Sequence, residues 1–454
     1  MPMKNKFVFL IVTMAGFLFS CSWAQTSVVH QTSDLAGKKS IVREWNSKCS
    51  VLFAMDGSSA GYFVLEDHAT NMLTRARIPN NVQITDFRIL HDSVFFCGFF
   101  PYSGPVSHVG VVGCFDIQQL FGGSGTICYR IIPPYGLYYG LQITEPRRMD
   151  VYEDSCTHIV FVGATEVPAG AGLGPATTVC DACFDGTLWR FRYYVNKAED
   201  RIYTDIAANN SYVVAVGTDT TRRHCVVDVF YAVSDIINHR MLTDELFCID
   251  GANPIGDVLV EDVAGERFAV AYQNQTRGGC GSTVHVFDID AINATLNVVS
   301  SVYVPHVPTG ASVLGWSAKD LLYAGDGNLM FLQDTRLGTL GGVESVVVRF
   351  PVLPFGTGTL DMYYEPSYQW NNIDRAATTY YNLSGNDVGG GLNIHHNQFP
   401  PMPNCARHMP VRYEYMGLTV TKRTFHLDRA IDYRLPDYYM PAIDNVPLFT
   451  NCIK

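Results

Sequence analysis

The chain is poor in charge. Only 17% of its 454 residues are Asp, Glu, Lys or Arg, against roughly 25% in an average soluble protein. Positive charge is the scarcer sign: 32 Lys and Arg face 43 Asp and Glu, for a net charge of −11. That balance lacks the basic footprint that phosphate-driven binding needs, so no nucleic-acid partner is expected. No amphipathic pattern of three helical turns recurs. Beyond the N-terminus no apolar run approaches the length that crosses a bilayer, so no transmembrane helix is expected. The 13 histidines include no His-Glu-x-x-His spacing, and Cys180-x-x-Cys183 has no second copy to complete a zinc site. What is abundant is apolar: 47% hydrophobic and 12% aromatic residues exclude a disordered chain.

The N-terminus reads as an export signal. Lys4 and Lys6 precede an apolar run from Phe7 to Phe19, too short to span a bilayer and long enough for a signal core. Ser22-Trp23-Ala24 offers a cleavage site before Gln25, which makes residues 1–24 a signal peptide. The alternative is a lipoprotein box ending in Cys21, with a lipid anchor there; Phe19 is bulky for that box. Cleavage after residue 24 carries the net charge from −11 to −13 and leaves an even dozen of the 13 cysteines. An even number in an exported chain fits disulfides. Candidates are Cys97 with Cys114, Cys225 with Cys248, and Cys405 with Cys452. The expected location is the periplasm, the outer-membrane surface or the extracellular space.

A repeat of about 55 residues organises the rest of the chain. Each copy has an Asp, a strand, a polar turn, an apolar strand and a Gly. It runs from Asp86 to Gly98, from Asp150 to Gly163 and from Asp205 to Gly217. A fourth copy runs from Asp257 to Tyr272 and a fifth from Ser312 to Gly325, with a degenerate sixth opening at Asp361-Met362-Tyr363-Tyr364. Third strands carry Cys114-Phe115-Asp116, Cys183-Phe184-Asp185 and Val286-Phe287-Asp288. Four short strands per period predict an all-β chain folded as a β-propeller. Residues 40–84 supply one further blade, and residues 358–454 supply the last, with strands at 411–415 and 420–425. The count is seven four-stranded blades; six or eight are the alternatives. Residues 25–454 are expected to form a single propeller domain closed by N- and C-terminal strands. A pair of β-sandwiches is the rival, but it gives no reason for one period.

The Trp23-Ala24-Gln25 end of the signal, the strand Asp92-Ser93-Val94-Phe95-Phe96-Cys97-Gly98 and the strand His285-Val286-Phe287-Asp288-Ile289 are similar to secreted, largely uncharacterised β-propeller proteins of gut Bacteroidetes. The resemblance covers residues 85–350 or so. It implies an exported propeller and transfers no catalytic residue.

Candidate chemistry is sparse. Asp86, Asp150, Asp205 and Asp257 open the first strands of their blades, and innermost strands line a propeller's channel. Four carboxylates there could bind calcium or a polyol; equally, each could cap its own turn. No other cofactor is expected. Cys180 and Cys183 read as a structural disulfide or buried thiols, because they enter a strand rather than a helix. Gly57-Ser58-Ser59-Ala60-Gly61 matches the serine-hydrolase string, but it joins two apolar strands and reads as a hairpin. His395 and His396, with His408 near by, read as a polar loop or a surface metal site. Glu66 and Asp67 point to opposite faces of a strand and cannot flank one glycosidic bond. Tyr135, Tyr138, Tyr139, Trp370 and Tyr380 could stack on a sugar or fill the core. The expected function is a non-enzymatic binding or scaffold propeller presenting a protein or glycan site. The alternatives are a propeller hydrolase or lyase acting on polysaccharide, and a structural lipoprotein.

Overall fold

The computed structural model describes residues 28–423 apart from short connecting segments, the longest being 233–245 and 306–316. The signal segment with Cys21, the cysteines Cys405 and Cys452, and Tyr135, Tyr138 and Tyr139 lie outside the described residues.

The strands form seven antiparallel blades. Blade 2 has strands Gln83–Leu90, Ser93–Pro101, His108–Asp116 and Cys128–Ile131. Blade 3 has Gln142–Glu153, Thr157–Glu166, Ala176–Phe184 and Trp189–Val195. Blade 4 has Arg201–Ala208, Tyr212–Asp219, Cys225–Tyr231 and Leu246–Ile249. Blade 5 has Pro254–Ala264, Arg267–Thr276, Gly279–Asp290 and Thr295–Pro305, and blade 6 has Ser317–Tyr323, Asn328–Thr335, Glu344–Pro351 and Thr359–Tyr364. The first strand of each blade touches the first strand of the next all the way round.

One long strand joins the two ends of the ring. The second half of Val28–Asn46 is the innermost strand of blade 1, followed by Cys49–Asp56, Gly61–Asp67 and Met72–Arg77. Its first half pairs with Gly391–Gln398, Val28 opposite His396 and Thr32 opposite Leu392. It is thereby the outermost strand of blade 7, whose other strands are Tyr368–Ala377, Tyr380–Asp387 and Gly391–Gln398.

The C-terminal strands do something else. Arg407–Arg412 pairs with the outer strand of blade 6, Glu414–Tyr415 with that of blade 5, and Val420–Arg423 with that of blade 4. Residues 411–412, 414–415 and 420–423 therefore lie in fifth strands that run backwards round the rim, covering edges that would otherwise be open. They are not part of a closing blade.

The core is divided among the blade seams. Along Ser93–Pro101, Val94 and Phe96 pack toward blade 1 while Phe95 and Cys97 pack toward blade 3. Both faces of such a strand are buried, so it reads as a continuous apolar run rather than an alternating one. The same holds round the ring, and each of the seven seams has its own apolar cluster. Trp370 belongs to the cluster between blades 6 and 7 and is 1% exposed, so it fills core and offers no stacking platform. The low charge of the sequence is a consequence of this arrangement, because a blade has almost no free face.

The recurring glycines have a separate cause. Each inner strand carries a bulge, seen between Ile84 and Asp86, Tyr203 and Asp205, and Trp370 and Asn372. The extra residue pushes the inner strand's backbone against its neighbour. A Cβ on Gly98, Gly217 or Gly385 would overlap the carbonyl oxygen of Gln83, Ile202 or Gln369. The fifth copy is out of register with the sequence reading. Its inner strand is Ser317–Tyr323, its second strand is Asn328–Thr335, and Gly325 sits in the turn between them at φ 76°. Asp361 to Tyr364 belong to the fourth strand of blade 6 and do not open a new copy.

Candidate functional site

The innermost strand of a blade has one edge without a ladder partner. Its N–H groups face the axis and need acceptors. A side chain from the preceding blade supplies them. Asp86 Oδ2 accepts from Met149 N at 3.2 Å, Asp150 Oδ2 from Ala208 N at 2.8 Å, and Asp205 Oδ2 from Val260 N at 2.9 Å. Glu261 Oε1 accepts from Tyr323 N at 3.1 Å, Asp320 Oδ2 from Ile373 N at 3.1 Å, and Asp374 Oδ2 from Glu44 N at 2.6 Å. At the seam from blade 1 to blade 2 the polarity is reversed: Arg43 Nε donates to Phe87 O at 3.2 Å. Asp86, Asp150 and Asp320 also hold the N–H of their own following residue through Oδ1. The carboxylates thus combine a local cap with a clasp on the next blade.

Three arginines tie the carboxylates together. Arg88 lies 3.0 Å from Asp86 and 3.3 Å from Asp150. Arg43 lies 3.2 Å from Asp86, 3.8 Å from Asp374 and 4.0 Å from Asp320. Arg148 of blade 3 crosses the ring to blade 6, where it lies 3.7 Å from Asp320 and donates to the carbonyl of Lys319. At this level the axis is filled by side chains from opposite blades.

Of the four sequence candidates, Asp86, Asp150 and Asp205 meet in this network. Asp257 does not: it is exposed on a two-residue bulge with Gly256, and Glu261 clasps the next blade instead. Sequence reading missed Glu44, Glu261, Asp320, Asp374 and the three arginines. Asp320-Leu321-Leu322-Tyr323 repeats the Asp-plus-apolar opening and was findable by aligning on Asp rather than on Gly.

Acids outnumber cations here, and this sets the electrostatics. Burial pushes Asp86 up, but Arg88, Arg43 and Arg148 outweigh it and hold the carboxyl below its usual range. Burial lifts Glu44 to about 8, helped by Asp374, and lifts Asp205 to about 7 against the pull of Arg148. Burial also raises Glu261 well above its usual value. Such raised groups stabilise the fold below their unfolded values and lose that contribution as pH rises through the folded ones. His285 acts in the opposite sense. Burial lowers it to about 3, so its contribution is present above the ordinary value of 6.5 and is lost as pH falls below it. Between pH 6.5 and 9 the carboxylate losses operate, and His158, which burial lowers but Asp181 and Asp154 raise above its ordinary value, loses stability in the same direction. The urea midpoint is expected to fall across that window, with a slope of at most about 1.4 kcal/mol per pH unit for each proton released. A flat or rising profile would contradict the assignment.

The other candidates take ordinary structural places. Ser59 sits at φ 67° in the hairpin between Cys49–Asp56 and Gly61–Asp67, where Asp56 Oδ1 accepts from Ser58 N and Ala60 N. It is a turn residue. Cys183, on the third strand of blade 3, forms a disulfide with Cys156 in the turn between the first two strands, while Cys180 is buried. His158, directly opposite Cys183 on the second strand, sets Nδ1 3.0 Å from Asp181 and Nε2 3.2 Å from Asp154. The candidate pairs Cys97–Cys114 and Cys225–Cys248 are thiols. Cys97 is opposite Val112, so Cys114 is only its diagonal neighbour, directly opposite Cys128. Cys225 is opposite Ile249 and Cys248 opposite Val226, which puts their side chains on opposite faces of blade 4. His408 lies opposite Tyr363 at the rim of blade 6, while His395 and His396 lie on the third strand of blade 7. His396 instead meets Glu66 of blade 1, with Nε2 3.0 Å from Oε1.

No protein-family model matches the chain, and no curated protein matches it. Among solved structures, the β-propeller domain of the Trilobed protease from Pyrococcus furiosus matches at 11% identity and a TM-score of 0.40, over 86% of this chain and 100% of that one. Puromycin hydrolase matches at 10% identity and a TM-score of 0.44, over 83% of this chain and 54% of that one. The WD40 domain of SCAP from fission yeast matches at 9% identity and a TM-score of 0.39, over 82% of this chain and 97% of that one. The chain spans about half the length of the acylaminoacyl peptidases and the puromycin hydrolase it matches, between 51% and 54%.

Proposed function

We propose that the protein is an exported, non-catalytic binding propeller that presents a protein or glycan site on the loops at the ends of its ring. The observation that carries this reading is the use made of the axial acids. A glycoside hydrolase needs two carboxyl groups facing one bond. Here Asp86, Asp150, Asp205, Glu261, Asp320 and Asp374 each accept a backbone N–H of the next blade. Their geometry serves the frame, and a frame of this rigidity suits loops that hold a partner. The basic n-region at Lys4 and Lys6, the apolar run after it and the Cys156–Cys183 disulfide support export to an oxidising compartment.

The test is a glycan array and a surface-protein pull-down with the mature chain, each coupled to an assay for cleavage of whatever binds. Retention of a ligand without turnover is the expected result. Release of reducing ends or unsaturated sugars from a bound polysaccharide would replace this reading with a hydrolase or lyase.

A further inference from the structure

Blade 7 meets blade 1 at a cluster of metal-ligating side chains. Glu66 lies near the end of Gly61–Asp67, and His68 comes two residues later, its N–H donating to Lys48 O at 2.8 Å. On a strand, residues i and i+2 share a face, and this face is turned toward blade 7. There His396 stands on Gly391–Gln398, opposite Val28 and Asn382. Each of the three side chains offers one ligand atom, and the three atoms lie within 4.8 Å of one another. Glu66 Oε1 and His396 Nε2 are 3.0 Å apart, and the two imidazole rings have centroids 4.7 Å apart. Donors at about 2.0–2.2 Å from a zinc ion stand about 3–3.5 Å from one another, so two of the three already have ligand spacing.

The surroundings orient the rings as metal ligands require. Asn382 Oδ1 lies 2.5 Å from His396 Nδ1. An amide oxygen only accepts, so the proton of a neutral ring is on Nδ1 and the lone pair of Nε2 faces Glu66. Asn382 Nδ2 in turn donates to Ser50 Oγ at 3.3 Å, which fixes which way the amide points. Ser50 Oγ is 2.8 Å from His68 Nε2. Asn382 and Ser50 are fully buried, as is the Glu66 side chain, whereas His396 keeps 18% of its side chain exposed. Outer groups that fix ring orientation are a regular feature of metal sites, and the exposed edge is an entry path.

We propose that Glu66, His68 and His396 bind one divalent transition-metal ion, which staples blade 7 to blade 1 across the ring closure. Two imidazoles select zinc, cobalt or nickel over calcium and magnesium, which prefer all-oxygen ligands. Three protein donors leave at least one position for water. The Cys156–His158–Cys183 cluster is a poorer candidate, because its two sulfurs are bonded to each other.

The experiment uses the full mature chain, stripped with EDTA and titrated with Zn²⁺, and separately with Co²⁺ for its visible spectrum. One equivalent of zinc is expected to remain after dialysis, with a melting temperature that rises with zinc concentration. His68→Gln and His396→Gln each remove a ligand and are expected to weaken binding by at least about 10–100-fold, the cost of losing an outer partner, and to abolish the rise, with unchanged circular dichroism. His68 is only half-buried, so its variant keeps the test sound if the other folds poorly. Absence of stoichiometric zinc in the wild type, or uptake that persists in His68→Gln, would overturn the proposal.

Discussion

Replacing Arg43 with alanine is expected to lower the free energy of unfolding by about 3–5 kcal/mol near neutral pH, the usual cost of stranding a buried charge. The Arg43 side chain is 7% exposed and faces three carboxylates, Asp86, Asp320 and Asp374, at 3.2–4.0 Å. It also donates to Phe87 O and Val42 O, each at 3.2 Å. Its loss leaves Asp86 with Arg88 as the nearer cation and opens the blade 1 to blade 2 seam, where a guanidinium takes the place of the carboxylate clasp. The deficit should shrink as pH falls from 8 toward 5, because stranded carboxylates take up protons and cease to repel. Arg267→Ala is the control. Its pair with Asp288 is shorter, at 2.7 Å, but the two side chains are 31% and 39% exposed. Solvent screening limits such a pair to about 0–1 kcal/mol. Urea unfolding of the two variants across pH decides the matter: equal losses, or a loss at Arg43 that ignores pH, would show that the axial network does not hold the ring as described.

The period was legible because it has a physical cause at two positions. The bulge demands Gly at 98 and 217, and the open inner edge demands an acid at 86, 150 and 205. Where either demand is met differently, the reading slips. In blade 6 the place of the Gly is taken by Gln333, opposite Ala318, while Gly325 and Gly327 form a turn that imitates the anchor. In blade 5 the bulge widens to Gly256-Asp257, and the clasp moves along the strand to Glu261. Blade 7 is polar on its inner strand, Asn371-Asn372-Ile373-Asp374, because Asn372 Oδ1 accepts from Val42 N beside the Asp374 clasp. Such a strand carries little apolar signal. The arginines were illegible for another reason. Arg43, Arg88 and Arg148 occupy unrelated positions in their repeats and converge only because the ring closes. The same closure brings Glu66 and His396 together from positions 330 residues apart. Asp67, next to Glu66 in sequence, points to the other face, whereas His68 shares the face of Glu66.

Gly217→Ala is the second large effect expected. A methyl at this position would overlap Ile202 O and stand 2.7 Å from both Ile202 C and Tyr203 Cα. These are backbone atoms of the paired inner strand, so no side-chain rotation relieves the overlap. The bulge between Tyr203 and Asp205 would have to open. That movement also carries Asp205 away from Val260 N, now 2.9 Å distant, and breaks the clasp between blades 4 and 5. Overpacking alone costs about 1–3 kcal/mol, and loss of a hydrogen bond to a charged or buried group adds about 1.5–3 kcal/mol. A total of about 3–5 kcal/mol is expected. Gly57→Ala provides the contrast, since nothing lies within 4 Å of a Cβ there; its effect should stay within about 0.5 kcal/mol. Amide hydrogen exchange should localise the damage. Protection is expected to fall along Arg201–Ala208 and at Val260 of the next blade, ahead of blades 1 and 7. Uniform loss of protection, or none at Val260, would mean that the glycine and the clasp are not coupled through the bulge.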